Sequence, residues 1–459
     1  MEIKKIGNKE WIKSLTLLFL GILSLIWIFK LSQVNKTGYI EVFQLKIDII
    51  EGFMWGFFIM GGFLITWAST SMMEYDLKED RIPLYYVLIV GLIISLCGIV
   101  AFENLIMVYI FIELSTFLAV GIVMIKDEEK NYKAGMKYLL LSLLASSILL
   151  MGLIILYNIT SSIMIDEIGI RLNNLSTSKD KIFYSFILIL IGIGIKSALF
   201  PFHIWLPDAH GSAPAPSSAI LSGLVLKSYI ILFIKIIYKS YGLSLVQDIN
   251  VLPIILILGL MAMIYGSIMA IMEKDLKRII AYSSVAQIGY IFMGIGLGNF
   301  LGLQAAIFHI LAHGITKACL FLNAGSIIIS TGNKDVEKIS GIGRKMPITM
   351  GLFTICALSM VGIPLFVGFN SKWNFALSIM DSKYHWSIAI LILSSLLNGV
   401  YYLPIIIKAF FSKGNDYENI KERSLRDLTP IIILGFLVIF FGLFSDPVMK
   451  LIASGLNNI

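Results

Sequence analysis

The chain has 459 residues, 58% of them hydrophobic and 14% charged, with a formal net charge of +7 and a mean hydropathy of +0.89. A soluble domain carries roughly 25% charged residues, so this chain cannot cover a water-facing surface and a soluble enzyme is excluded. Cys97, Cys319 and Cys356 stand far apart in apolar runs and no nucleotide-binding glycine loop is present, which argues against a disulfide framework, a zinc or iron–sulfur cluster and ATP binding; the positive charge reads as membrane topology, not nucleic-acid affinity.

At about 20 apolar residues per span, windows along the chain predict about 13 spans. Trp11–Leu31 comes first; it lacks a small-residue cleavage site and reads as a retained span, not a signal peptide. Ile47–Ser71, Pro83–Ala101, Asn104–Ile125, Ala134–Tyr157, Lys181–His210 and Ala215–Tyr238 follow. The second half holds Val251–Met272, Leu276–Leu297, Leu301–Ser330, Met346–Met380, Trp386–Lys408 and Leu428–Leu451. No polar linker separates domains, so the expectation is one all-α polytopic membrane bundle.

Basic residues test this arrangement. Alternating loops place 22 Lys and Arg on the side of the N-terminus, Lys413 among them, and 10 on the other, including Lys235 and Lys239. The excess predicts a cytoplasmic N-terminus and an outside C-terminus. Lys196, Lys227, Lys317 and Lys372 fit neither set, because each falls inside an apolar segment. Glu113 likewise sits near the middle of Asn104–Ile125. A central Lys costs about 2.5–3.5 kcal/mol on insertion scales. Snorkelling is open to Lys372 but poorly open to the short Glu113, and a Glu–Lys pair that merely ties two helices is the other structural alternative. Five such groups point to function.

His309, His313 and Lys317 recur every four residues and line one helix face over about 12 Å. Histidines so spaced can chelate zinc, but no Glu follows His309 and no third ligand is evident. A ladder of titratable groups is the better reading, since His titrates near neutrality and desolvation favours a neutral amine. Pro201, Pro207, Pro214 and Pro216 follow Lys196, while Pro364 and Gly368 precede Lys372. Prolines interrupt helices, and broken backbone at membrane depth occurs only against protein or water-filled cavities. Two lysine-bearing interruptions about five spans apart point to inverted repeats.

The stretches IKSALFPFHIWLPDAHGSAPAPSSAILSGLVLK, HILAHGITKACLFLNAGSI and YIFIELSTF resemble the antiporter-like subunit family. That family is shared by respiratory complex I, membrane-bound [NiFe] hydrogenases, formate hydrogenlyases and multi-subunit cation/proton antiporters. The resemblance covers about Asn104 to Lys408. It implies two inverted five-helix repeats, each with a broken helix: residues 102–240 with a break near 196–215, and residues 241–410 with a break near 362–373. Residues 1–101 would be N-terminal transmembrane helices, one fewer than the family has, and 411–459 a loop and last helix.

By the same resemblance, Glu113, Lys196, Lys227, His309, His313, Lys317 and Lys372 form a proton relay, and His203, Asp208 and His210 shape water and proton entry. No cofactor or metal is expected in this chain; nickel–iron, iron–sulfur or quinone sites belong in partner subunits if the complex is redox-driven. Expected partners are other integral subunits of a large plasma-membrane complex, peripheral redox subunits, lipids, H⁺ and Na⁺. The implied function is redox-coupled proton translocation, leaning toward the hydrogenase or complex I side. The large subunit of a Na⁺/H⁺ antiporter is the alternative.

Overall fold

The computed structural model describes residues 2–37, 39–42, 45–174, 179–412 and 420–457. Lys413, which the charge pattern assigns to the inner side, lies outside them. In hydrocarbon a chain must satisfy its backbone hydrogen bonds within itself, so long apolar runs become helices. Helix α1, Glu2–Thr37, leads through an antiparallel hairpin of β1, Tyr39–Val42, and β2, Leu45–Asp48, in which Tyr39 pairs with Asp48. Helices α2, Ile49–Asp76, α3, Ile82–Ala101, α4, Leu105–Met124, α5, Glu129–Thr160, and the short α6, Ile165–Asn174, follow. A first break separates α7, Lys179–Lys196, from α8, Leu206–Ser212. Then come α9, Ala215–Tyr241, α10, Leu252–Met272, α11, Leu276–Gly296, and α12, Phe300–Thr331. A second break separates α13, Pro347–Val361, from α14, Val367–Met380, before α15, Ser387–Phe411, α16, Leu425–Leu443, and α17, Asp446–Leu456.

Among the described residues, 11 helices are long and apolar enough to cross a membrane. The two expected spans outside that number, Lys181–His210 and Met346–Met380, are those interrupted by proline. After Lys196 the backbone turns through Ala198 at φ 57° and a 3₁₀ turn at Phe202–Trp205. After Val361 it turns through Gly362 at φ 95° and Leu365 at φ 82°. The expected last span, Leu428–Leu451, is corrected: α16 stops at Leu443, and Asp446-Pro447 starts a separate helix, Pro at the first turn being compatible with a new start but not with continuation.

The two halves repeat a local design. Asn104 caps α4 by accepting the N–H groups of Ile106 and Met107, and Asp275 caps α11 by accepting those of Lys277 and Arg278. Each cap residue also forms an isolated antiparallel bridge to the chain beyond the following helix, Asn104 to Met164 and Asp275 to Asp335.

Helices α9, α11 and α12 are buried along the whole of their apolar windows, whereas α4, α5, α10, α15 and α16 leave half or more of theirs uncovered. Polar residues on the three central helices are therefore withdrawn from lipid by their neighbours. Close approach makes this enclosure possible. Gly259 and Gly266 of α10 meet Gly289 and the adjacent backbone of α11; a Cβ on Gly266 would lie 2.5 Å from Ala286 N and 2.9 Å from Tyr282 O. Small residues at such contacts allow the dispersion packing that holds helices together in lipid. Gly266→Val is expected to lower the melting temperature of the detergent-solubilised protein clearly, overpacking costing about 1–3 kcal/mol or more. An unchanged melt would contradict the contact.

Candidate functional site

Glu113 lies near the midpoint of α4, and Lys196 is the last residue of α7. Ending the helix there brings the lysine Nζ 3.7 Å from Glu113 Oε1. Lys196 is 1% exposed, while the Glu113 side chain is about one-fifth exposed at 21%. Thr116 stands on the same face of α4, one turn on, and accepts a hydrogen bond from Lys196 Nζ at 2.8 Å. The ammonium also lies 5.7 Å from the Tyr229 ring centre, and the Tyr229 hydroxyl is 2.8 Å from Ser115 Oγ.

Two residues from Tyr229 on α9, Lys227 is fully buried and donates to Ser222 O at 2.6 Å. Ser222 belongs to a π-helical stretch, Leu221–Val225, and its Oγ lies 2.9 Å from Ser284 Oγ on α11. The adjacent Ser283 accepts from Lys317 Nζ, which also donates to Ile280 O at 2.9 Å and lies 3.4 Å from the Tyr402 hydroxyl. The surroundings of Lys227 and Lys317 therefore meet at Ser283-Ser284.

His309 and His313 stack with ring centres 5.8 Å apart and planes 8° from parallel. His309 Nδ1 is 2.6 Å from Ser371 Oγ, on the residue before Lys372. Lys372 itself reaches back across the second break and donates to Met360 O at 2.7 Å and Val361 O at 3.0 Å. These are carbonyls that the end of α13 leaves without an intrahelical partner, at the negative end of its dipole. The Lys372 ammonium faces the Tyr290 ring at 5.1 Å, and Tyr290 stacks on His309 at 5.6 Å. Three local groups result: Glu113 with Lys196, Lys227 and Lys317 meeting at Ser283-Ser284, and His313, His309 and Lys372 joined by ring stacking, Ser371 and Tyr290.

Asp208 pairs with Lys137 at 2.6 Å and Arg278 at 3.4 Å. It lines a cavity of about 450 Å³ with Lys137, Gly211, Ser212, Arg278 and Lys334. Beside Gly211 in the chain, His210 is wholly buried, stacks on Phe321 at 4.7 Å, and has no protein partner for either ring nitrogen among the described residues. His203 is not held by these ion pairs; it packs against Phe200 at 5.6 Å and Tyr265 at 4.8 Å.

The charge pattern counts Lys235 and Lys239 among the outer loop residues, and the structure corrects the exposure this implies, Lys235 being buried and Lys239 largely so. Lys235 is 4% exposed and bonds Glu51 at 2.7 Å and Glu103 at 3.0 Å. Lys239 reaches Asp48 at 2.9 Å, Glu103 at 3.0 Å and Glu51 at 3.2 Å. Burial opposes ionisation of Glu103, but the two ammonium groups outweigh it and hold its carboxyl below the usual range. One signal was present in the chain: Asp48-Ile-Ile-Glu51 before an apolar run is a capping-box pattern, and both of its reciprocal hydrogen bonds form.

A family model described as NADH:quinone oxidoreductase/Mrp antiporter, TM, matches residues 103–398. The NADH-quinone oxidoreductase subunit N of Desulforudis audaxviator is 35% identical over 376 residues, covering 78% of this chain and 73% of that one. One Na⁺/H⁺ antiporter subunit, from Alkalihalophilus pseudofirmus, is 31% identical over 428 residues, covering 86% of this chain and 52% of the relative. Among solved structures, a chain of the Mrp complex from Dietzia sp. superposes with a TM-score of 0.89 at 21% identity, covering 98% of this chain and 92% of that one.

Proposed function

The chain belongs to the NADH:quinone oxidoreductase/Mrp antiporter transmembrane family, and from that membership we propose that it translocates protons as the antiporter-like subunit of a redox-driven membrane complex. The observation that carries this reading is the set of titratable groups from Glu113 to Lys372, buried from Lys196 onward, with Lys227, His309, His313 and Lys317 on helices enclosed by their neighbours. Charged groups at such depth are costly and mark ion paths. Both ring nitrogens of His313 and the Nε2 of His309 lack protein partners among the described residues. Buried polar atoms are nearly always hydrogen-bonded, so water serves these nitrogens and supplies the proton carriers between side chains.

In this mechanism Lys196 holds its proton beside the Glu113 carboxylate. When a neighbouring subunit moves charge, the pair opens and Lys196 gives up that proton. The proton passes through Lys227 and Lys317 and the stacked histidines to Lys372, whose helix-end carbonyls hold the arriving ammonium until it unloads. Redox cofactors are assigned to partner subunits, and the working orientation has the N-terminus cytoplasmic in the plasma membrane. The two breaks and the paired caps at Asn104 and Asp275 support two inverted repeats. The alternative of a Na⁺/H⁺ antiporter subunit is favoured by the 31% identical relative.

The test is purification of the complex in mild detergent, identification of its subunits by mass spectrometry, and proton uptake by proteoliposomes containing it. Redox subunits together with electron-transfer-driven acidification support the proposal. Membrane partners alone, with cation-driven exchange, place the chain with the antiporters. Entry is assigned to the Asp208 cavity. Asp208→Asn is expected to slow proton uptake severalfold, and an unchanged rate would move the inlet elsewhere.

A further inference from the structure

Helix α9 links two polar regions. Its start follows the Asp208 cavity by three residues, and its far end carries Lys235 and Lys239 into the cluster with Asp48, Glu51 and Glu103. Five acidic and basic side chains are held together there, three carboxylates against two ammonium groups. Val100 O and Phe102 O complete the surroundings of Lys235 at 2.9 and 3.1 Å. Fully ionised, the group carries one uncompensated negative charge while Glu51 and Lys235 are each only 4% exposed. A buried charge without a counter-charge is unfavourable, and coupled carboxylates relieve it by sharing a proton. The last turns of α9, Ile236–Tyr241, are π-helical, a conformation found frequently at functional positions.

We propose that Asp48, Glu51, Glu103, Lys235 and Lys239 form a second proton-holding site, which exchanges one proton with the water beyond Glu103 and thereby governs loading of Lys227. The inference rests on the translocation reading above. Uptake forms an O–H bond on the Glu51 carboxylate, the member most withdrawn from water alongside Lys235, and both lysines remain ammonium groups. Release breaks that bond and restores the carboxylate, so no other reactant is required. Glu103 is the door: its side chain is 21% exposed, and its buried Oε2 has no protein partner among the described residues. Asp166 of α6 adds a nearby carboxylate, whereas Glu167 and Arg171 of that helix pair with each other and the Tyr241 hydroxyl is taken by Ser185.

Lys227 and Lys235 are eight residues apart on one helix, about 12 Å along its axis. Lys227 Nζ reaches back toward Ser222, so the charges stand farther apart than this; at about 20 Å and an effective dielectric of about 20, one charge alters the balance between the ammonium and amine forms about fourfold. The negative cluster favours the ammonium of Lys227, and the protonated cluster withdraws that support. Acidifying the compartment that faces Glu103 should therefore slow translocation by up to about fourfold.

The experiment uses proteoliposomes of the complete complex with the pH set separately on each side. Wild type is expected to slow as the Glu103-facing side is acidified. Glu51→Gln, which keeps the cap hydrogen bonds and mimics the protonated acid, is expected to abolish that dependence. Lys239→Gln, at a partly exposed position, is expected to move its midpoint to higher pH. Infrared spectroscopy reads the site without transport: a protonated-carboxyl band should grow on acidification and be missing in Glu51→Gln. A wild-type pH dependence kept in Glu51→Gln, or a band unaltered in both Glu51→Gln and Lys239→Gln, overturns the inference. Glu113→Gln separates the two claims, because full translocation by that variant defeats the relay while leaving the infrared result to stand or fall alone.

Discussion

Glu113→Gln is expected to lower proton translocation by the assembled complex at least tenfold while the chain folds and incorporates normally. The reason lies in the division of labour around Lys196. Across 3.7 Å, the attraction between two unit charges is about 4 kcal/mol at an effective dielectric of about 20, and the partial exposure of Glu113 reduces that figure. Removing it takes away the only carboxylate in direct ion-pair contact with this lysine among the described residues. Lys196 nevertheless keeps its hydrogen bond to Thr116 and its place against Tyr229, so the fold has no reason to open. Proton uptake by reconstituted vesicles, normalised to complex content, is the measurement. Full activity in Glu113→Gln would remove the first element of the relay. Loss of assembly instead would mean that the pair is chiefly a tie between α4 and α7.

Lys317→Met should separate function from stability more sharply. The lysine is fully buried, and a buried charge is weak evidence for stability: well-packed apolar replacements of buried charged groups are often neutral or stabilising. Met matches the length of the stem. Ser283 and Tyr402 then retain each other at 2.8 Å, and Ser283 Oγ also donates to Ile280 O, so few polar groups lose a partner. The melting temperature is therefore expected to hold or rise, while translocation falls at least tenfold because no titratable group remains between Lys227 and His313. Thermal melts and vesicle acidification on the same preparation decide it. A destabilised but still pumping variant would show that Lys317 serves packing.

Both predictions turn on residues that were visible in the chain. Glu113, Lys196, Lys227, Lys317 and Lys372 stand out because the cost of a charge within an apolar run depends on local sequence and the membrane alone. The breaks were legible for a similar reason: a proline removes its own backbone donor wherever it occurs, so Pro201, Pro207 and Pro364 announce interruptions without reference to any neighbour. The Asp446-Pro447 restart obeys the same rule and was missed because the surrounding run is apolar enough to read as one span.

Partners are another matter. Thr116 under Lys196, Ser283 and Tyr402 around Lys317, and Ser371 against His309 are ordinary hydroxyl residues, and nothing in their local sequence distinguishes them from others that cap or line helices. Lys235 and Lys239 look like flanking loop charges, since they stand at a predicted span boundary and basic residues commonly end spans there. Their burial with Glu51 and Glu103 depends on how α2, the α3–α4 link and the end of α9 converge, across separations of 132 to 188 residues. The amino-acid sequence marked the five charges within apolar runs, Glu113, Lys196, Lys227, Lys317 and Lys372, and the two proline breaks beside Lys196 and Lys372, because these follow from each residue's own solvation and backbone chemistry. Which of those charges were paired, which were enclosed and which were left facing water came from helix packing, because pairing energies depend on distances of a few ångströms that no linear spacing specifies.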